Sequence, residues 1–476
     1  MEQSRYTDGF FAINGVNGFL PHRPPLKRLP KRYAELQYIL DIMPILREDG
    51  LPGLLAKDGA IKNAVEGLFD FSEQVRLETD PFIIQALFRG YAFLSSAYTL
   101  EPAHMTFKAT GSYGKANRFL PEQIAKPFCI VAEKLEVYPW LDYHYAYSLG
   151  NFVKKNQNKG LEWENLEMAV KFSGMDDERG FIMLHVDINE HSSDLLKGIF
   201  DTLELAKTNR KILTDDLLLS KLVVTYEAMK RINGRRKVMW KASRWKHYND
   251  FRVFIMGIKG NEELFDEGVI YEGVDEKPRQ YRGQTGAQDN VIPTMDIFTG
   301  VIHHYPSNDL TNYLLDLRTY RPICVQHFFQ DLQLDTKELH PEGLIGFLNE
   351  HKFFKSMECV LGLLDEIYLF RNGHWQFVQK YIMSNTKYAK ATGGTPIISW
   401  IPNQIKAVFS AMDKVINMMP ITYNDELFNR LNRDLPAKKQ LLENQLSMLH
   451  KPNYSADEVY KLNKDYKLED DDKQLF

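Results

Sequence analysis

The sequence predicts an all-α protein, and three observations carry the prediction. Large apolar residues recur at alternating steps of three and four, strict apolar–polar alternation is scarce, and one such run, residues 357–382, is far longer than a strand. In chain order, Gly, Pro and Asn first cluster between residues 8 and 30, predicting an irregular opening. Leu36, Ile39, Leu40, Met43 and Leu46 then share one helical face. The polar stretch 156–164, with Asn156-Gln157-Asn158-Lys159-Gly160, is the best internal boundary, so we expect a smaller N-terminal helical domain over 1–157 and a larger one over 158–420. Leu218, Leu222, Tyr226 and Met229 form part of a second helical face. Gly260, Gly268, Gly273, Gly283 and Gly286 interrupt the pattern before it resumes near Val291; the backbone there either passes close to something flat or is a long connection. Beyond Pro420 a third segment, 421–476, sets Leu431, Leu441, Leu442, Leu446 and Leu449 among many charges, as an added helix or a solvated tail.

The most informative phrase is Phe370-Arg371-Asn372-Gly373-His374. Leu363, Ile367, Phe370, His374, Phe377 and Tyr381 follow one another at steps of four, three, four, three and four, so one helix face holds five large apolar or aromatic groups and one imidazole. Burial disfavours the imidazolium, and a neutral ring offers a lone pair to a metal. Arg371, three residues earlier, lies on nearly the same side, where it can clamp a carboxylate. Periodicity alone also admits a hydrogen-bonded core histidine, the commoner arrangement.

Composition narrows the class. With 476 residues, 44% hydrophobic and 26% charged, the chain has the makeup of a soluble globular protein. It lacks an apolar run of 18 residues, and Met1-Glu2-Gln3-Ser4-Arg5 begins no basic-then-apolar leader, so we expect a cytoplasmic protein without membrane partners. The cysteines Cys129, Cys324 and Cys359 are too scattered for a disulfide framework or a thiolate metal site. A formal charge of −4 gives no general attraction for nucleic acid. The basic cluster at 230–246, with Arg231, Arg235, Arg236, Lys237, Lys241 and Arg244, reads as a solvated face rather than a phosphate patch.

Several separated phrases resemble the indoleamine 2,3-dioxygenase family of haem enzymes, and they occur in that family's order. They are Asn17-Gly18-Phe19-Leu20-Pro21; Leu135-Glu136-Val137-Tyr138-Pro139-Trp140-Leu141; Leu149-Gly150-Asn151-Phe152; Phe251-Arg252-Val253-Phe254; Gly268-Val269-Ile270-Tyr271-Glu272-Gly273; Arg282-Gly283-Gln284-Thr285-Gly286-Ala287-Gln288; Leu317-Arg318-Thr319-Tyr320-Arg321-Pro322; and Ala391-Thr392-Gly393-Gly394-Thr395. The resemblance spans roughly residues 15 to 400, and it implies the same two-domain helical fold.

The roles that follow are implied by the resemblance, residue by residue. His374 is the axial ligand of haem b (iron protoporphyrin IX), Arg371 pairs a propionate, and Asp296 holds that guanidinium, unless it is a helix cap or surface acid. Gly283, Thr285 and Gly286 lie over the haem edge, with the Thr285 N–H reaching a propionate; here the loop is Gly-Gln-Thr-Gly-Ala-Gln where the family often has Gly-Gly-Ser-Ala-Gly-Gln. Phe181 is the aromatic beside the indole. His185 stands where the animal enzymes have serine, either accepting the indole N–H, as in the related tryptophan 2,3-dioxygenases, or as a plain structural histidine. Arg252 binds the substrate carboxylate, Tyr248 and His247 wall the pocket, Tyr147 narrows it, and Thr392 sits in a mobile lid hinged on Gly393 and Gly394.

The implied reaction inserts both atoms of the co-substrate O2 across the indole 2,3-bond of L-tryptophan, with an electron donor keeping the iron ferrous. Three rivals differ in class: a haem oxygenase acting on another aromatic amino acid or tryptophan derivative, a haem sensor without turnover, and a haem-free helical interaction protein. A gas sensor needs no carboxylate clamp, and a haem-free protein leaves Arg371, His374 and Arg252 together unexplained.

Overall fold

The computed structural model describes residues 5–208, 212–383, 397–451 and 455–465; Thr392, expected in the lid, lies outside them. The chain is all-α. Among the described residues the strands are short: Phe119–Leu120 runs parallel to Ile270–Tyr271, and Phe152–Lys154 pairs antiparallel with Leu166–Met168. The polar stretch 156–164 lies between this second pair of strands.

The N-terminal third is organised on helix Pro81–Thr110. Asp80 caps it by accepting the Phe82 N–H at 2.8 Å, Pro81 occupies the first turn, and Gly111, with φ of 76°, ends it in the left-handed conformation. From Phe82 to Leu100 nearly every side chain is buried, as suits a helix wrapped on all sides. Helix Ala34–Ile42 buries Leu36, Ile39 and Leu40 as its spacing predicts. The same face does not extend to Leu46, which is 41% exposed, because Pro44 lacks the N–H a further turn requires.

Helix Asp215–Arg236 begins at Thr214, whose hydroxyl accepts the Leu217 N–H, and carries Asp215 and Asp216 in its first turn and Arg235 and Arg236 in its last, in the sense its dipole favours. Leu218, Leu222 and Met229 are buried, and the Tyr226 ring lies on Gly362 of helix Phe354–Phe377, where an added Cβ would stand 3.0 Å from Cζ. That helix bears His374 and passes directly into a π-helical segment, Val378–Met383.

Between the two alternatives for residues after Pro420, the structure has helix. Glu426–Leu449, capped by Asp425, buries Leu431, Leu435, Leu441 and Leu442, and Ala456–Asp465 follows it. Buried apolar residues form one continuous core from Phe10 to Val459. Among the described residues no helix is long and apolar enough to cross a membrane.

Candidate active site

The histidine helix and helix Asp176–Glu190 face each other across a cavity of about 150 Å³. Phe370, His374, Phe377, Tyr381 and Ile382 form one wall, Phe181, His185 and Ile188 another, and Gln284, Thr285, Gly286 and Asp289 the rim between them. A second space of about 90 Å³ adjoins it and shares Gly286, Asp289, Phe370, His374, Trp400 and Ile401.

His374 borders both spaces. Burial first, then the charges of His185 and Arg236, depress its pKa to about 4, so the ring is neutral at pH 7. In the adjoining space, Arg371 donates through Nη2 to Asp296 Oδ2 at 2.5 Å and to Gln404 Oε1 at 3.2 Å, while Tyr305 hydrogen-bonds the same Asp296 oxygen. Arg371 Nη1 and Asp296 Oδ1 are both buried with no hydrogen-bond partner among the described residues. An orphaned guanidinium N–H costs desolvation energy that an anion can return. Among the described residues no three His, Cys, Asp or Glu side chains cluster to hold a bare metal ion. A lone neutral histidine can hold a metal that arrives with its other ligands, and an anion-seeking arginine one turn away fits a macrocycle with carboxylate arms. The residues therefore fit haem.

On the facing wall His185 makes its first hydrogen bond with its own helix: Nδ1 lies 2.9 Å from the Phe181 carbonyl oxygen. A carbonyl can only accept, so Nδ1 carries the proton, and in the neutral ring Nε2 is left as an acceptor. Burial lowers the His185 pKa, with Asp289 pulling in the opposite sense, and this favours that neutral form. Nε2 points toward Gly286, where an added Cβ would lie 3.9 Å away. Asp289 is itself held by Tyr143 Oη and Asn189 Nδ2, each at 2.7 Å. Phe181 packs on Tyr248 and Phe251 with ring centroids 5.2 and 5.7 Å away.

Other expected site residues stand elsewhere. Arg252 is fully buried beside Tyr113 and Tyr248 and does not line the cavity; Tyr248 lines it in its place. Tyr147 does not narrow the cavity: it packs on Phe93 and Phe172 in the core and donates to Glu178 at 3.3 Å. His247 is no wall either, since it faces Asp250 with its side chain 42% exposed. The Thr285 N–H is already taken by the Gln288 side chain at 3.2 Å in a reciprocal cap, so it is not offered to a ligand. Gly283 serves a chain crossing: a Cβ on it would stand 2.2 Å from the Gly257 nitrogen, and one on Gly257 would stand 1.9 Å from the Gly283 nitrogen.

The structure adds Arg236 to the site. Four members of its basic cluster do form surface pairs, Lys230 with Glu227, Arg231 with Asp194, Arg235 with Asp187 and Arg244 with Asp177, whereas Arg236 turns inward and is 5% exposed on the cavity wall. Its Nη1 lies 1.7 Å from where a Gly373 Cβ would be. A glycine in mid-helix costs about 1 kcal/mol against alanine, so Gly373 beside His374 is the sequence signal for a close neighbour.

A family model, Indoleamine 2,3-dioxygenase, matches residues 8–417. The chain belongs to the indoleamine 2,3-dioxygenase family. It is 25% identical over 416 residues to indoleamine 2,3-dioxygenase 1 of Rattus norvegicus, covering 83% of this chain and 93% of that one. It is 26% identical to indoleamine 2,3-dioxygenase of Saccharomyces cerevisiae, covering 79% and 81%, and 25% identical to indoleamine 2,3-dioxygenase nanC of Aspergillus nanangensis, covering 81% and 89%. As a member of the indoleamine 2,3-dioxygenase family the protein is a haem-dependent dioxygenase, an oxidoreductase that uses O2.

Proposed function

We propose that this dioxygenase takes L-tryptophan, binds haem b, and yields N-formylkynurenine. The observation that supports it most is the pairing, across one cavity, of the neutral His374 ring with the acceptor nitrogen of His185. When bound, haem supplies the activation of O2, and both oxygen atoms enter the product as the indole C2–C3 bond breaks. His374 would hold the metal, and Arg371 Nη1 would take a propionate, its orientation fixed by Asp296, Tyr305 and Gln404. His185 Nε2 would accept the indole N–H and so hold the ring in one orientation, with Phe181 and Tyr248 against its faces. No side chain needs to remove a proton before the ring reacts, which agrees with the two histidines being held neutral.

A carboxylate clamp requires Arg252 to leave its buried place beside Tyr248 for the ligand, and Thr392 would close over it. An electron donor that keeps the iron ferrous, a cytoplasmic setting, and the division into domains 1–157 and 158–420 belong to the same proposal. A second reading is favoured by the burial of Arg252: a tryptophan derivative or other aromatic amino acid whose carboxylate makes no arginine pair. The test is turnover of haem-loaded, reduced protein under 18O2 with L-tryptophan and with tryptamine. Doubly labelled N-formylkynurenine supports the first reading, tryptamine cleavage alone favours the second, and no cleavage of either overturns the tryptophan assignment.

A further inference from the structure

The family match ends at residue 417, yet the chain continues into two packed helices that reach back to the residue following His374. Trp375 is fully buried, and its indole Nε1–H donates to Gln445 Oε1 at 3.0 Å. Gln445, 1% exposed, donates through Nε2 to Asn463 Oδ1 at 2.8 Å. Asn463 Nδ2 then donates to Gln379 Oε1 at 3.0 Å. Three hydrogen bonds thus leave the histidine helix at Trp375, cross both C-terminal helices, and return at Gln379 inside the π-helical turn Val378–Met383.

Two ion pairs flank the path: Lys438 with Asp365, both buried, and Lys380 with Asp457 at 3.2 Å. A π-turn interrupts the regular bond ladder, and the pitch of such a segment is set by what its side chains hold. Here the donors and acceptors are neutral amides and an indole with fixed directions, so they specify the rotation of the helix about its axis. His374 shares that backbone, one residue before Trp375, and rotation of the helix moves its ring across the cavity.

We propose that the C-terminal helical pair is a built-in brace for the axial histidine, with Gln445 a positioning residue that acts on His374 through Trp375. The inference rests on His374 as the haem ligand. Outer contacts of this kind commonly change metal affinity by 10- to 100-fold when removed.

The experiment compares Gln445→Leu, Trp375→Phe and the double variant as full-length, haem-loaded protein. The readouts are the iron–histidine stretching band in the ferrous resonance Raman spectrum, the rate of haem loss to an excess acceptor, and the melting temperature of each apoprotein. Each single variant is expected to shift the band and to speed haem loss by about tenfold, with the double variant no worse than Gln445→Leu, since that change already removes both the bond to Trp375 and the bond to Asn463. Wild-type band and haem-loss rate in both single variants, or a lowered melting temperature with an unmoved band, would overturn the brace. If wild type shows no histidine band, or His374→Ala retains it, the ligand assignment itself fails, a result distinct from failure of the brace.

Discussion

At the scale of single residues, buried histidines in the site and in the core share one property, neutrality. His374 and His104 have pKa values near 4 and His144 near 3, in each case chiefly through burial. Above the ordinary histidine value near 6.5, folded and unfolded chains are both neutral at these positions and no stability is at stake. Below it the unfolded chain takes up protons that the folded chain refuses, so stability falls as pH drops toward 4. Apoprotein unfolded in denaturant at pH 7 and pH 5 should lose about 2 kcal/mol for each of these histidines. Haem is expected to be lost from His374→Ala, whereas Arg252→Ala should keep its Soret band and lose most turnover; haem-replete, active His374→Ala protein would refute the ligand role. The contact between Arg371 and Asp296, 75 residues apart, is legible in the sequence only through the family resemblance. The enclosure of Arg252 is not, because Tyr113 lies 139 residues away in the chain and nothing local announces it.

At the scale of elements, spacing by three and four gives the helices but not the reason for the glycines. The dense run from Gly260 to Gly286 suggests a backbone skirting a flat ligand, and only Gly286 keeps open space toward the cavity. Gly283 instead crosses Gly257 backbone to backbone, and Gly268 and Gly273 take positive φ of 128° and 73°. Gly257→Ala should therefore displace the whole 283–286 loop, lowering stability by about 1–3 kcal/mol and weakening haem binding, as read by thermal melts and haem titration. Unchanged haem affinity would show that the crossing does not position the rim. Pattern reading also stops short after Pro420, since amphipathic leucines mark a helix without saying which surface covers it.

At the scale of the molecule, the first residues are tied to the far part of the chain. Tyr6 donates to Asp331 at 2.9 Å, Arg5 pairs with the same carboxylate at 2.6 Å, Cys324 lies 3.3 Å from Asp8, and the Phe19 N–H donates to Ser192 at 2.9 Å. Such long-range closures leave no local trace in a sequence. A fragment ending at residue 157 would lose Phe328, on which Tyr6 and Phe19 pack, together with Ser192 and Asp331, and is expected to remain expanded, with poor dispersion in its amide spectrum. A compact, well-dispersed fragment would instead make the N-terminal unit independent.

Arg252 rests fully buried, with Tyr248 beside it. For a ligand that needs this guanidinium, the observed dissociation constant is the intrinsic one divided by the fraction of molecules in which the arginine has swung free. Equilibrium titrations with an amino acid would then measure the hinge as much as the pocket. Replacing Tyr248 by phenylalanine should tighten a carboxylate-bearing ligand more than its decarboxylated analogue. For such a ligand the burial of Arg252 would be a selectivity filter in energy rather than in shape, admitting an acid only at the expense of contacts the protein already makes to itself.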